Sequence, residues 1–211
     1  MKIHAYDEIY LQRARKSLGR MFDYAIIDLG YKLEEVWQMF LDSPISKQFE
    51  NGDASIIAGK SGIELALIIV DYNLDYVTHS NRQEKGKEYW LGYVLAYYQW
   101  YTCLDFDEIT EFITITEIES MYNPYHEMDV RQFCDELTRI INSRKIHTNL
   151  KRRRNLAGIS QSELAKITGI PVRTIQQYEQ RQKNINNAKS EYIVSLARAL
   201  YCEPKSLLEL S

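Results

Sequence analysis

A chain of 211 residues with 45% hydrophobic and 26% charged side chains holds enough apolar material for more than one core, so two domains are expected. It contains no run of about 18 apolar residues and no apolar signal segment at its start, and its three scattered cysteines (Cys103, Cys134, Cys202) fit neither a zinc spacing nor a disulfide framework, which points to a cytoplasmic protein with no membrane partner. The net charge of −3 conceals two opposed parts: residues 1–144 carry 14 Lys and Arg against 24 Asp and Glu (net −10), and residues 145–211 carry 12 against 5 (net +7).

The acidic part reads as helical throughout. Ile9, Tyr10, Ala14, Leu18, Met21, Phe22, Ala25 and Ile26 recur at three- and four-residue spacing, which predicts one helix over about 7–29 with Gly30 as its stop. A second helix is expected at 33–41, burying Val36, Trp37 and Phe40, and Pro44 opens a segment that ends by 51–53. Ser61 or Gly62 starts an apolar stretch over 63–72, read as a buried helix because its neighbours are helical, and 81–86 reads as an exposed loop. The aromatic stretch 89–101 places Tyr93, Tyr97, Trp100 and Tyr101 on one helical face. An acidic domain is a poor host for nucleic acid, so a core helix with its polar tips at the edges is favoured over a stacking platform for bases or a ligand cage. Short helices at about 105–112 and 116–122, a loop at 123–126 and a last helix at 128–143 complete this part.

Four features could carry other chemistry. Gly59, Lys60 and Ser61 resemble the end of a phosphate-binding loop, but Ala54 stands where the motif needs its first glycine. His126 and Glu127 lack the second histidine of a zinc-protease helix. Asp105, Asp107, Glu108 and Glu111 fit a cation site less well than a helix start with a solvated face. His4, His79, His126 and His147 accompany no recognisable nucleophile motif. No catalytic, cofactor-binding or metal-ligating residue is therefore expected, and the chain is read as a non-enzyme.

The basic part has a different grammar. A first helix is expected at 149–156, carrying the basic run 151–154, which taken alone is a solvated basic face and beside the helix, turn and helix that follow it is expected to contact phosphates. Ser160 and Glu163 make a capping box that starts the next helix, whose apolar face is Leu164, Ala165 and Ile167 and whose stop is Gly169. Pro171 suits the entrance of a third helix, about 171–180, in which Ile175 and Tyr178 face inward while Arg173, Gln177 and Gln180 face outward with Gln176 beside them. Arg and Gln can make paired hydrogen bonds to guanine and adenine edges in the major groove. A fourth helix over 191–201 buries Ile193, Leu196, Ala197 and Leu200, and Pro204 opens a fifth in which Leu207 and Leu208 close the core. Tyr192 and Tyr201 are boundary residues or dimer contacts.

The run Ser160, Gln161, Glu163, Leu164, Ala165, the turn at Gly169 and Ile170, the set Thr174, Ile175, Tyr178, Glu179, and Leu196, Ala197, Ala199, Leu200 together resemble the helix-turn-helix domain of the phage repressor and Cro (Xre) family over about 148–210. That resemblance implies an all-α chain with a five-helix DNA-binding domain at 145–211, its third helix in the major groove of double-stranded DNA, bound as a homodimer. Arg173, Gln177 and Gln176 are the expected base contacts, with Val172 added by the family pattern. Lys151, Arg152, Gln161, Thr174, Arg181, Lys183 and Asn184 are the expected phosphate contacts. The sequence departs from the family at Arg181, which stands where glycine is common, and in a longer stretch over 180–188. Residues 140–147 contain neither proline nor glycine, so a short, stiff connection to the acidic domain is expected; if that domain dimerises, it would space two recognition helices by one duplex turn, about 34 Å. The acidic domain, residues 1–144, is expected to dimerise or to bind a protein partner or small effector. The resulting function is a transcriptional regulator acting as a repressor. The alternative is an antitoxin whose N-terminal domain binds a toxin, and an enzyme with a DNA-binding tail ranks third for want of catalytic motifs.

Overall fold

The computed structural model describes residues 4–71 and 86–209. Every regular element among them is helical, with no strand, and the chain separates into two compact units, Met1–Ile141 and Asn142–Ser211. The loop expected at 81–86 lies, apart from Gly86, outside the described residues, as does Tyr72.

The first unit is organised around two long helices, α1 (Glu8–Asp23) and α6 (Lys87–Thr102). Asp7 starts α1 by accepting a hydrogen bond from the Ile9 amide at 3.0 Å. Two glycines let the helices approach closely: a methyl group at Gly92 would overlap the Leu18 carbonyl oxygen, and one at Gly19 would lie 2.8 Å from the Tyr89 carbonyl oxygen. Between them in sequence come α2 (Leu33–Asp42), α3 (Pro44–Glu50), α4 (Ala54–Ile57) and α5 (Gly62–Ile69). After α6 follow α7 (Phe106–Thr110), α8 (Ile115–Ser120), α9 (Tyr122–Tyr125) and α10 (Val130–Arg144), whose residues from Asn142 onward belong to the second unit. Phe40 and Phe106 meet Trp37 in one aromatic cluster, which Phe49 joins through Phe106, with Phe106 edge-on to Trp37 at 5.9 Å.

Several expectations change here. The helix expected over 7–29 is α-helical only to Asp23 and continues as a π-helix, Tyr24–Asp28, before Gly30 turns the chain at φ 78°. Arg20 pairs with Asp23 and reaches Asp28 at 3.6 Å across that segment. Ala54–Ile57 forms a helical turn that was not expected, and the loop expected at 123–126 overlaps α9, within which Asn123 is non-helical. The region that resembled a phosphate loop is a helix start: the Ser61 hydroxyl accepts from the Glu64 amide, and the Glu64 carboxylate accepts from the Ser61 amide.

The aromatic helix α6 is a core element. Trp90, Tyr97, Tyr98 and Trp100 are buried, with Tyr98, absent from the expected face, the most completely so. Their polar atoms find partners at the edges, as the Trp100 indole does on the Tyr6 carbonyl at 2.8 Å and the Tyr98 hydroxyl with that of Thr138 at 3.0 Å. The carboxylates Asp105 and Asp107 hold a protein cation: Lys47 Nζ lies 3.3 and 3.4 Å from them and 3.1 Å from buried Glu50. Burial pushes the Glu50 carboxyl above the usual range, partly offset by the Phe106 amide and Lys47.

The second unit consists of α11 (Asn149–Leu156), α12 (Gln161–Thr168), α13 (Val172–Glu179), a 3-10 turn Ile185–Asn187, α14 (Ser190–Ala199) and a last 3-10 turn Pro204–Leu207. Leu150, Leu164, Ile170, Ile175, Tyr178, Ile185, Ile193, Leu196, Ala197, Leu200 and Leu207 form its core. Two expected core positions are corrected. Ile167 is 62% exposed because the inward face of α12 runs through Leu164, Ala165 and Thr168 and leaves Ile167 at its edge, and Leu208 faces outward because the chain has already left the last turn. Tyr201 is 97% exposed, at φ 51°.

Candidate nucleic-acid interface

Local chemistry sets α12 and α13. The Ser160 hydroxyl accepts from the Glu163 amide at 3.2 Å and the Glu163 carboxylate accepts from the Ser160 amide at 2.7 Å, so two otherwise orphaned amides at the helix start are satisfied. These hydrogen bonds from Ser160 hold the Glu163 carboxyl below the usual glutamate range. Its contribution is therefore present above that range and lost as pH falls through the lowered value. Ser160→Ala is expected to cost about 1 kcal/mol, read as a lower urea midpoint in far-UV circular dichroism.

At the other end Gly169 adopts φ 71°, a left-handed conformation that costs glycine little, and its amide closes the helix on the Ala165 carbonyl at 2.9 Å. Ile170 then turns inward and Pro171 caps α13. Ile175, Tyr178 and Glu179 form the buried side of α13. Arg173 is exposed, while Val172, Thr174, Gln176 and Gln177 are half-exposed. The outward edge thus presents one guanidinium and two carboxamides.

The flanking residues fall in three places. Lys151 and Arg152 are half-exposed on α11. Arg181, Lys183 and Asn184 are exposed after α13, where the Gln177 carbonyl accepts the amides of Gln182 and Lys183 at 2.9 and 3.1 Å and draws the loop against the helix end. Arg181, in the place where the resembling family often has glycine, takes φ 57° and donates to the Lys145 carbonyl at 3.0 Å. Gln161, half-exposed at the first turn of α12, donates its amide to Glu179 at 2.7 Å, leaving its second amide hydrogen and its oxygen available.

The basic run 151–154 is not one solvated face. Arg154 is 9% exposed and makes a two-pronged bond to buried Glu179, Nε to Oε1 at 2.6 Å and a terminal nitrogen to Oε2 at 3.0 Å, and it also donates to the Ile159 carbonyl at 2.8 Å. Glu179, the last residue of α13, is thereby tied to both α11 and α12. This network fixes the tilt of the outward edge on the rest of the unit. One signal for it was present: Arg154 lies four residues after buried Leu150, on the same helical face.

Among the described residues no group of three or more His, Cys, Asp and Glu is placed to hold a metal ion, and no helix is long and apolar enough to cross a membrane.

A capped helix, a left-handed glycine turn and a second helix with one polar edge turned outward define a helix-turn-helix domain. Residues 150–205 match the Helix-turn-helix family model, of the phage repressor and Cro type, a class of DNA-binding transcription regulators. No curated protein and no solved structure matches the chain.

Proposed function

We propose that the protein is a sequence-specific regulator that binds double-stranded DNA as a homodimer and represses by occupying an operator. The observation that carries this reading is the outward edge of α13, where Arg173, Gln176 and Gln177 remain accessible on a unit of net positive charge while Ile175, Tyr178 and Glu179 anchor the helix. In this reading Arg173, Gln176 and Gln177 contact base edges, and Val172 touches a thymine methyl group. Lys151, Arg152, Gln161, Thr174, Arg181, Lys183 and Asn184 hold phosphates on either side and set the register. The acidic unit stays off the duplex by charge and serves the homodimer, a protein partner or an effector.

Selection of bound duplexes from random DNA by the full chain tests this directly, with a palindromic product expected; recovery of no preferred sequence would overturn it. On the selected site, Arg173→Ala is expected to cost about 1–3 kcal/mol and to relax one base position. Equal weakening on all duplexes would instead make Arg173 a phosphate ligand.

A further inference from the structure

A cavity of about 380 Å³ opens at the end of the recognition helix, with every lining residue inside the 142–211 unit. Asn142, Thr148, Arg181, Lys183, Asn184 and Glu209 line it, together with Tyr178 from the last turn of α13. Its volume lies within the range of small-molecule sites, roughly 300–1,000 Å³. Much of its hydrogen-bonding capacity is unspent. Thr148 accepts from the Lys151 amide and keeps its own proton, while the Asn184 oxygen accepts from the Asn186 amide and leaves its amino group free. Glu209 accepts from the Asn149 amide through one oxygen, and Arg181 spends one amino group on the Lys145 carbonyl. Among the described residues the side chains of Asn142 and Lys183 have no hydrogen-bond or ion-pair partner.

Two cations in the lining, Arg181 and Lys183, suit a phosphate. Three uncommitted donors and a spare carboxylate oxygen suit hydroxyl groups, which both accept and donate. We propose that this cavity binds a phosphate monoester of a small polyol, whose phosphate engages Arg181 and Lys183 and so withdraws them from the DNA backbone. The inference rests on the DNA-binding reading above, in which those two residues are phosphate contacts, and it makes the ester an effector that releases DNA. A backbone phosphodiester of DNA offers part of the same chemistry, so the test must separate the two sources.

The test uses the full chain with ribose 5-phosphate and glycerol 3-phosphate as probes, and with ribose and sulfate as controls, at constant ionic strength. Calorimetry on the free protein is expected to give one saturable site per chain, and a saturating ester should lower affinity for the selected duplex by about tenfold, within the usual range of coupling between sites. Asn142→Ala, outside the proposed DNA contacts, should weaken ester binding by roughly tenfold or more while leaving duplex affinity within about twofold. Asn142→Asp, which replaces a donor with a negative charge in a cavity proposed to take an anion, provides the second variant and should abolish ester binding. The proposal is overturned if neither ester binds saturably, or if sulfate displaces the duplex equally well. It is also overturned if the Asn142 variants lose duplex affinity in step with ester affinity, which would assign the cavity to the DNA backbone. Ester binding by a protein that retains no duplex would instead sink the DNA-binding reading and leave the cavity assignment standing.

Discussion

Arg154→Ala is expected to destabilise the DNA-binding unit by about 3–5 kcal/mol, enough to leave much of it unfolded at 37 °C. The Glu179 carboxylate is 1% exposed, and Arg154 supplies two of the hydrogen bonds that make its charge tolerable there. Truncation removes both, strands the charge beside the single remaining amide from Gln161, and also orphans the Ile159 carbonyl from its guanidinium partner. The loss therefore exceeds the value of an exposed ion pair, for which about 0–1 kcal/mol is usual. Replacing both partners, Arg154→Met with Glu179→Leu, should recover most of the stability because no buried charge is left behind. All three tryptophans, Trp37, Trp90 and Trp100, lie in the first unit, so unfolding of the second is read by far-UV circular dichroism and by loss of duplex binding. A midpoint within about 1 kcal/mol of the parent for Arg154→Ala would mean that the pair is not closed in solution.

Gly92→Ala is expected to destabilise the first unit by about 3 kcal/mol, the upper end for overpacking. A methyl group there meets the Leu18 carbonyl and the Gly19 Cα, backbone on both counts, so α1 and α6 must separate rather than a side chain swing aside. Separation weakens the packing that buries Leu18, Met21, Leu91 and Leu95. The measurement is tryptophan fluorescence in urea, since Trp90 and Trp100 sit on α6 itself. An unshifted midpoint would place the two helices farther apart than described. Substitution at Gly169, where a side chain would meet nothing within 4 Å, acts differently: it strains a left-handed residue without moving any neighbour.

The two substitutions also mark what a reader of the sequence could see. Helix starts and stops in the DNA-binding unit were legible because their causes lie within four residues: the Ser160 and Glu163 box, the Gly169 turn and the Pro171 entrance. The bounds of α11 were legible too, for the Thr148 hydroxyl caps it at the Lys151 amide. The helical class of the first unit followed largely from periodicity and that of the second from the family resemblance, while the outward edge of α13 followed from the helical spacing of its residues. By contrast the π-helix at Tyr24–Asp28 was hidden, because its extra residue per turn leaves an apolar pattern close to that of an α-helix.

What sequence alone determined is therefore the set of local elements, the opposed charges of the two parts and the residue types offered by α13, since each depends on neighbours along the chain. Tertiary structure decided which like residues do unlike work. Of the basic side chains in 151–154, Arg154 became the internal brace of the DNA-binding unit because folding brings Glu179, 25 residues away, against it. Lys47 filled the carboxylate cluster from 58 residues away, and Gly92 became indispensable only where α1 crosses it. Charge pairing and close backbone approach are set by distance in space, and a linear pattern does not carry that distance.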